Sequence, residues 1–161
     1  MNLSPENGKG SDLPGTNFAA HCAAGVYWNN GKESQLLKDC DFIRNDIKTC
    51  QAMGKKILLS IGGEYSAAND YSLSSVAKGN EFADFMFDAF GPYDPTYKGP
   101  RPFDISDDEH ISLDGFDFDI EYNFRKFLIP PLPKAIMAFA CIAILTCICH
   151  HSRPEAVCGD G

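Results

Sequence analysis

The chain has 161 residues, of which 44% are hydrophobic and 12% aromatic, enough apolar material for one globular domain with its own core; this is not the composition of a disordered tail. A formal charge of −8 and a pI near 4.8 argue against a surface that tracks nucleic-acid phosphates, which needs clustered lysine and arginine, and leave a neutral polymer such as a polysaccharide compatible. Seven cysteines (Cys22, Cys40, Cys50, Cys141, Cys147, Cys149 and Cys158) form an N-terminal and a dense C-terminal group, and their odd number leaves at least one thiol unpaired within the chain. The N-terminal three suit an oxidising compartment. The polar, Gly/Pro-rich residues after Met1 carry neither the basic nor the apolar region of a secretion signal.

Residues 1–35 read as loop, broken by Pro5, Pro14 and several Gly, Asn and Ser, with one short apolar run, Ala23 to Trp28, that suits a strand. From Asp39 to Met53 the residues Ile43, Ile47 and Cys50 recur at i, i+4 and i+7, and Gly54 stands at the C-cap; the spacing predicts a surface helix with one buried stripe. Ile57, Leu58, Leu59 and Ile61, closed by Gly62-Gly63, predict a strand buried on both faces. A second helix is predicted from Ser72 to Phe90, with Val76, Ala83, Phe87 and Phe90 on one face and Gly91-Pro92 as its stop. Residues 91–112 are a Pro-rich, acidic loop, and LDGFDFDIEY reads as a second strand. The order helix, strand, helix, strand predicts parallel strands joined by a crossover helix, an α/β fold. Gly62-Gly63 has neither the GxGxxG spacing nor a Gly-Lys-Ser/Thr ending, so no phosphate cradle is expected.

Beyond the second strand the composition changes. Ala135 to Cys149 carries no charge but falls short of the roughly 20 apolar residues a membrane span needs. A membrane anchor lengthened by a snorkelling Lys134, a buried helix and sequence foreign to the fold all remain open readings. Cys147, Cys149, His150 and His151 offer zinc-type ligands without the spacing of a finger.

Carboxylates are costly in a parallel strand buried on both faces, yet Asp117, Asp119 and Glu121 alternate with Phe116, Phe118 and Ile120. A side-chain period of 2 sends the acids to one face and the hydrophobes to the other. With the hydrophobes under covering helices, the acids face a barrel centre at the carboxyl end of the strand, where such folds build active sites. Neighbouring acids then sit roughly 6 to 7 Å apart, close enough to couple, and Glu121 is the natural member to stay protonated near neutral pH. On pattern alone an amphipathic edge strand with a solvated acidic face is the more common case, and Asp114-Gly115 also reads as a plain turn; periodicity by itself does not decide.

LDGFDFDIE, with Asp114, Asp117, Asp119 and Glu121, resembles the DGxDxDxE signature of glycoside hydrolase family 18, the chitinases. SIGG, Ser60 to Gly63, is similar to the SxGG motif that ends the preceding barrel strand of that family. DIKTCQAMGKKILLSIGG and NFAAHC resemble segments of the plant and fungal class III members, and the similarity covers residues 17–123. The resemblance implies a partial eight-stranded β/α (TIM) barrel limited to about strands 3 and 4. It divides the chain into an N-terminal loop (1–16), a partial catalytic domain (17–123) and an unrelated apolar, Cys-rich tail (124–161).

The chemistry the resemblance implies is cleavage of β-1,4 links between N-acetylglucosamine units with retention, the substrate's own acetamido oxygen acting as nucleophile. Glu121 would be the general acid and then the base, Asp119 would orient the acetamido group, Asp117 would support Asp119, and Asp114 would hold the strand. Ser60, Gly62 and Gly63 would form a small strand end beneath the sugar; the same glycines also suit a tight turn. The resemblance further implies a Cys22–Cys40 disulfide, a distant partner for Cys50, an extracellular location, and chitin or chitooligosaccharide as ligand with no metal, cofactor or nucleic acid. It places AAGVYW in a loop insertion rather than in the barrel's first strand. A chain with two of eight strands is expected to be poorly soluble and inactive by itself, its open edges inviting association. A noncatalytic carbohydrate-binding relative is the alternative; such relatives usually lose the terminal acid, which is present here as Glu121.

Overall fold

Asn30 and Gly31 both take positive φ, 51° and 72°, and form the two-residue turn of a hairpin between β1 (Val26–Asn29) and β2 (Lys32–Leu37). The computed structural model that contains this hairpin describes residues 13–18, 22, 25–63 and 75–120. The hairpin forms its own antiparallel sheet, so the described part of AAGVYW, Val26 to Trp28, is no strand of the parallel sheet, and β2 lies largely where loop was predicted. Ser34 and Leu36 point inward from β2 and are buried, Leu36 completely. The preceding segment is irregular yet packed. Thr16 donates its N–H to the Gln35 carbonyl (3.0 Å), its hydroxyl accepts from the Leu37 N–H (2.9 Å), and Pro14 is fully buried beside it. A Cys22–Cys40 disulfide, 18 residues apart in sequence, brackets the hairpin. A bridge closing a loop of that size contributes about 3 kcal/mol by restricting the unfolded chain.

Cys40 leads directly into α1 (Asp41–Ala52), whose Ile47 and Cys50 are buried and whose Ile43 is half-buried, the predicted stripe. The helix ends in a Schellman motif: the Gly54 N–H reaches the Gln51 carbonyl and the Lys55 N–H the Cys50 carbonyl, with Gly54 at φ 76°. A Cβ at Gly54 would meet nothing within 4 Å, so the left-handed backbone alone demands glycine. Gly54→Ala is expected to lower stability by about 1 kcal/mol in urea titrations and Gly54→Asn by less; an unchanged midpoint for the alanine variant would refute the motif's role.

β3 (Leu58–Gly63) and β4 (Gly115–Ile120) pair in parallel, in continuous register from Leu58–Gly115 to Gly63–Ile120, with α2 (Val76–Phe90) in the crossover between them. Ser75 caps α2, its hydroxyl accepting from the Lys78 N–H at 3.2 Å. The inward face of α2 is Gly79, Phe82, Ala83, Met86, Ala89 and Phe90. It shares Ala83 and Phe90 with the predicted stripe but is rotated from it: Val76 is exposed and Phe87 half-buried. Phe82, Met86 and Phe90, at i, i+4 and i+8, bring larger side chains to the strands than Val76 could. They meet Leu59, Ile61 and Phe116 in one core that also takes in Ile47, Leu36 and Phe103.

β3 was expected to be buried on both faces. It is buried on one, through Leu59 and Ile61, while Ser60 on the other face is exposed. The partners in β4 explain this, because register sets Leu59 and Ile61 beside Phe116 and Phe118 and Ser60 beside Asp117.

The loop from residue 91 to 113 is organised by one buried arginine. The Arg101 side chain, 7% exposed, donates to the carbonyls of Asp88, Gly91 and Ile111 and pairs with Asp104 at 2.9 Å. Asp104 also meets His110 Nδ1 (2.6 Å) and accepts from the Ile111 N–H (3.0 Å), and Tyr93 stacks flat on the His110 ring. Arg44 from α1 donates to the Asp104 carbonyl, and Lys48 pairs with Glu109, so the loop is fastened along α1 as well. Phe103 plugs the loop into the core between Phe18 and Phe90. The loop runs from the end of α2 to the start of β4 and therefore lies at the amino ends of the strands.

Candidate functional site

The two strands present opposite chemistries on their two faces. One face carries Leu59, Ile61, Phe116 and Phe118 and packs toward α2, with Phe118 at its outer limit still 36% exposed. The other carries Ser60 and Gly62 from β3 beside Asp117 and Asp119 from β4, pair by pair. Ser60 Oγ donates to Asp117 Oδ2 at 3.2 Å, joining the two strands through side chains as well as backbone. Asp117 is half-buried and Asp119 exposed, so both carboxylates open onto the uncovered face near the carboxyl end of the pair.

At that end β3 finishes in Gly62 and Gly63, both with positive φ (115° and 91°), a backbone that residues with a Cβ avoid. Both glycines still belong to β3, and the absence of a side chain at Gly62 leaves bare backbone beside Asp119. Together the groups give this face two carboxylates that accept hydrogen bonds and one hydroxyl that donates or accepts.

Asp114 belongs to the opposite end of β4, roughly 10 Å below Asp117 at about 3.3 Å per residue. Its Oδ2 accepts from the Ile57 N–H (3.0 Å) and the Gln51 amide (3.0 Å), its Oδ1 from Lys56 Nζ (2.9 Å), and its own N–H donates to the Ile57 carbonyl (2.9 Å). It ties two strand entrances and a helix together and is more than a turn residue. Partial burial by itself pushes the Asp114 carboxyl up; the hydrogen bonds from Ile57, Gln51 and Lys56 and the Lys56 charge outweigh it and hold the group below the ordinary carboxylate range.

A carboxyl whose pKa falls on folding stabilises the fold above its unfolded value near 3.9, and that contribution is lost as pH drops through the folded value. Asp114→Asn is therefore expected to cost about 2 kcal/mol at pH 7. The gap between the wild-type and variant urea midpoints should shrink below about pH 4; a gap that stays constant down to pH 2 would contradict the assignment.

Of the residues singled out in the sequence, Ser60, Gly62, Asp117 and Asp119 come together, Gly63 closes the same strand end, and Asp114 stands apart as a fastener. Cys22 and Cys40 are bonded to each other. Glu121 lies outside the described residues, as do the apolar run Ala135–Cys149 and the cluster Cys147, Cys149, His150 and His151. Among the described residues no group of three or more His, Cys, Asp or Glu is arranged to hold a metal ion, and no helix is long and apolar enough to cross a membrane. Sequence reading missed Gln51 and Lys56 as partners of Asp114; a polar residue in the last turn of the helix and a lysine just before the strand were the available signals.

The architecture is α/β, and the acidic site sits on parallel strands near their carboxyl ends, the usual placement for an enzyme of the β/α class. No family model matches the chain. It is similar to proteins named as endochitinases in fungi. It is 44% identical over 125 residues to the "Probable endochitinase" of Arthroderma benhamiae, an alignment covering 76% of this chain and 16% of that protein. It is 44% identical over 123 residues to "Endochitinase 2" of Coccidioides posadasii (75% and 14%) and 44% identical over 124 residues to "Endochitinase A1" of Aspergillus fumigatus (76% and 14%). The chain thus spans about a seventh of the length of these relatives.

Proposed function

We propose that this chain carries the catalytic strand of a family 18 chitinase, the third and fourth β/α strands of a TIM barrel that hydrolyses β-1,4 N-acetylglucosamine linkages. The observation that carries the reading is the in-register row of Ser60, Gly62, Asp117 and Asp119 on one open face, in a segment 44% identical to fungal endochitinases. In this mechanism Glu121, two residues beyond Asp119, gives its proton to the glycosidic oxygen as the bond to C1 breaks. The acetamido carbonyl oxygen of the same sugar attacks C1 and closes an oxazolinium ring. Asp119 orients that acetamido group and faces its developing positive charge. Asp117, held by Ser60, supports Asp119. Glu121, now a carboxylate, takes a proton from the water that reopens the ring at C1, so the anomeric configuration is retained.

The ligand is chitin or a chitooligosaccharide, and the Cys22–Cys40 disulfide fits action outside the cell. The test is to place residues 17–123 in a complete fungal endochitinase in exchange for its matching segment and to follow cleavage of chitohexaose by NMR. Turnover with the β-anomer formed first is expected. Release of the α-anomer first, or no turnover by a correctly folded chimera, would defeat the reading. The 161-residue chain alone is expected to give no turnover, and measurable hydrolysis by it would overturn that expectation.

A further inference from the structure

We propose that Gln51 and Lys56 are positioning residues for the carboxylate strand: acting through Asp114, they fix the register of β4 against β3 that sets Asp117 beside Ser60 and Asp119 beside Gly62. The inference rests on the reading of those two aspartates as the site carboxylates. The buried face of the ladder opposes a one-residue slip but not a slip of two, which leaves the same side chains on the same faces. A shift of one residue would turn Asp117 and Asp119 under α2, and a shift of two would keep the alternation while breaking the Ser60–Asp117 and Gly62–Asp119 pairs. Within the ladder the Ser60–Asp117 bond opposes the two-residue shift.

The discriminating contacts lie at the strand entrance. Asp114 exchanges two hydrogen bonds with Ile57, one through its carboxylate and one through its own N–H, and takes two more from Lys56 and Gln51, all at 2.9 to 3.0 Å. The Gln51 amide uses its second hydrogen on the Ser112 carbonyl at 2.9 Å, so it grips the incoming chain on both sides of Leu113. Gln51 belongs to the last turn of α1, which the Schellman motif and the buried Ile47 and Cys50 fix in place. A two-residue slip moves Asp114 by about 6 to 7 Å, beyond reach of all these donors at once. Lys56 supplies charge and Gln51 supplies direction; both converge on one carboxylate, which translates the position of a helix into the position of a strand.

The test uses the 161-residue chain, isotope-labelled, as wild type and as Gln51→Met, Lys56→Met and Lys56→Arg. Hydrogen exchange of the Phe116–Phe118 amides and interstrand proton contacts between Ser60 and Asp117 report the register; the Phe82–Phe90 amides of α2 report global stability. Gln51→Met and Lys56→Met are expected to speed exchange in β4 by about tenfold beyond any change in α2 and to weaken the Ser60–Asp117 contacts, while Lys56→Arg stays near wild type. Equal acceleration in β4 and α2 with the interstrand contacts intact is what a purely stabilising role gives, and it would overturn the proposal. So would a wild type whose β4 amides exchange freely while those of α2 are protected. Lys56, with a side chain 58% exposed, supplies a variant that does not disturb the core if Gln51→Met fails to fold. Chitin enters none of these readouts, so their failure leaves the proposed chemistry to be judged by its own experiment.

Discussion

Glu121→Gln, in a complete barrel carrying residues 17–123, is expected to lower kcat on a fluorogenic chitooligosaccharide by about 10²- to 10⁴-fold while KM changes little. Glutamine keeps the shape and the hydrogen bonding of the side chain and removes only the transferable proton, so substrate binding should survive. The loss should be smaller for a substrate with a good leaving group, which needs less protonation, and larger for chitohexaose. The same loss on both substrates would argue that the variant damages binding or folding. Equal activity of wild type and variant would remove Glu121 from the mechanism altogether.

The second large effect is expected far from the carboxylates. Arg101→Met should cost about 3–5 kcal/mol, because it removes the cation paired with the largely buried Asp104 carboxylate and takes the guanidinium donor from three carbonyls, of Asp88, Gly91 and Ile111. A domain of this size has only about 5–15 kcal/mol to lose, so the variant should be largely unfolded at 37 °C. Arg101→Lys should rescue little, since a single ammonium cannot reach the carboxylate and three carbonyls that the guanidinium fork spans. Denaturant midpoints with near-ultraviolet circular dichroism measure this. A cost below about 1 kcal/mol would show that the loop is held by Phe103 and by the α1 contacts instead.

The order of helices and parallel strands was legible because its signals are local: apolar spacing of 4 and 3 in α1, a continuous apolar run in β3, alternation in β4. The faces of β4 followed from the same alternation, and register with β3 then placed Ser60 beside Asp117. The hairpin was legible too but passed over. Asn30-Gly31 is among the strongest two-residue turn signals, but the polar residues that flank it in Lys32–Gln35 hide the strand alternation behind a loop-like composition. The inward face of α2 was misplaced because two overlapping stripes share Ala83 and Phe90, and only packing against Phe116 decides between them. The Arg101 network left no trace in the sequence. Its partners are mostly carbonyls, which every residue has, brought together by the path of a loop rather than by any spacing.

The Ser60–Asp117 bond also bears on how such a site can be inherited. The carboxylate comes from one β/α unit and the hydroxyl that holds it from the unit before, so neither unit carries a working half. Recombination between barrels that cuts within α2 would pair a serine and an aspartate that had never been fitted to each other. On the proposed mechanism, the smallest cassette that travels intact runs from Gln51 through Glu121, taking the crossover with it. A breakpoint inside that stretch should be tolerated by the fold more readily than by the chemistry.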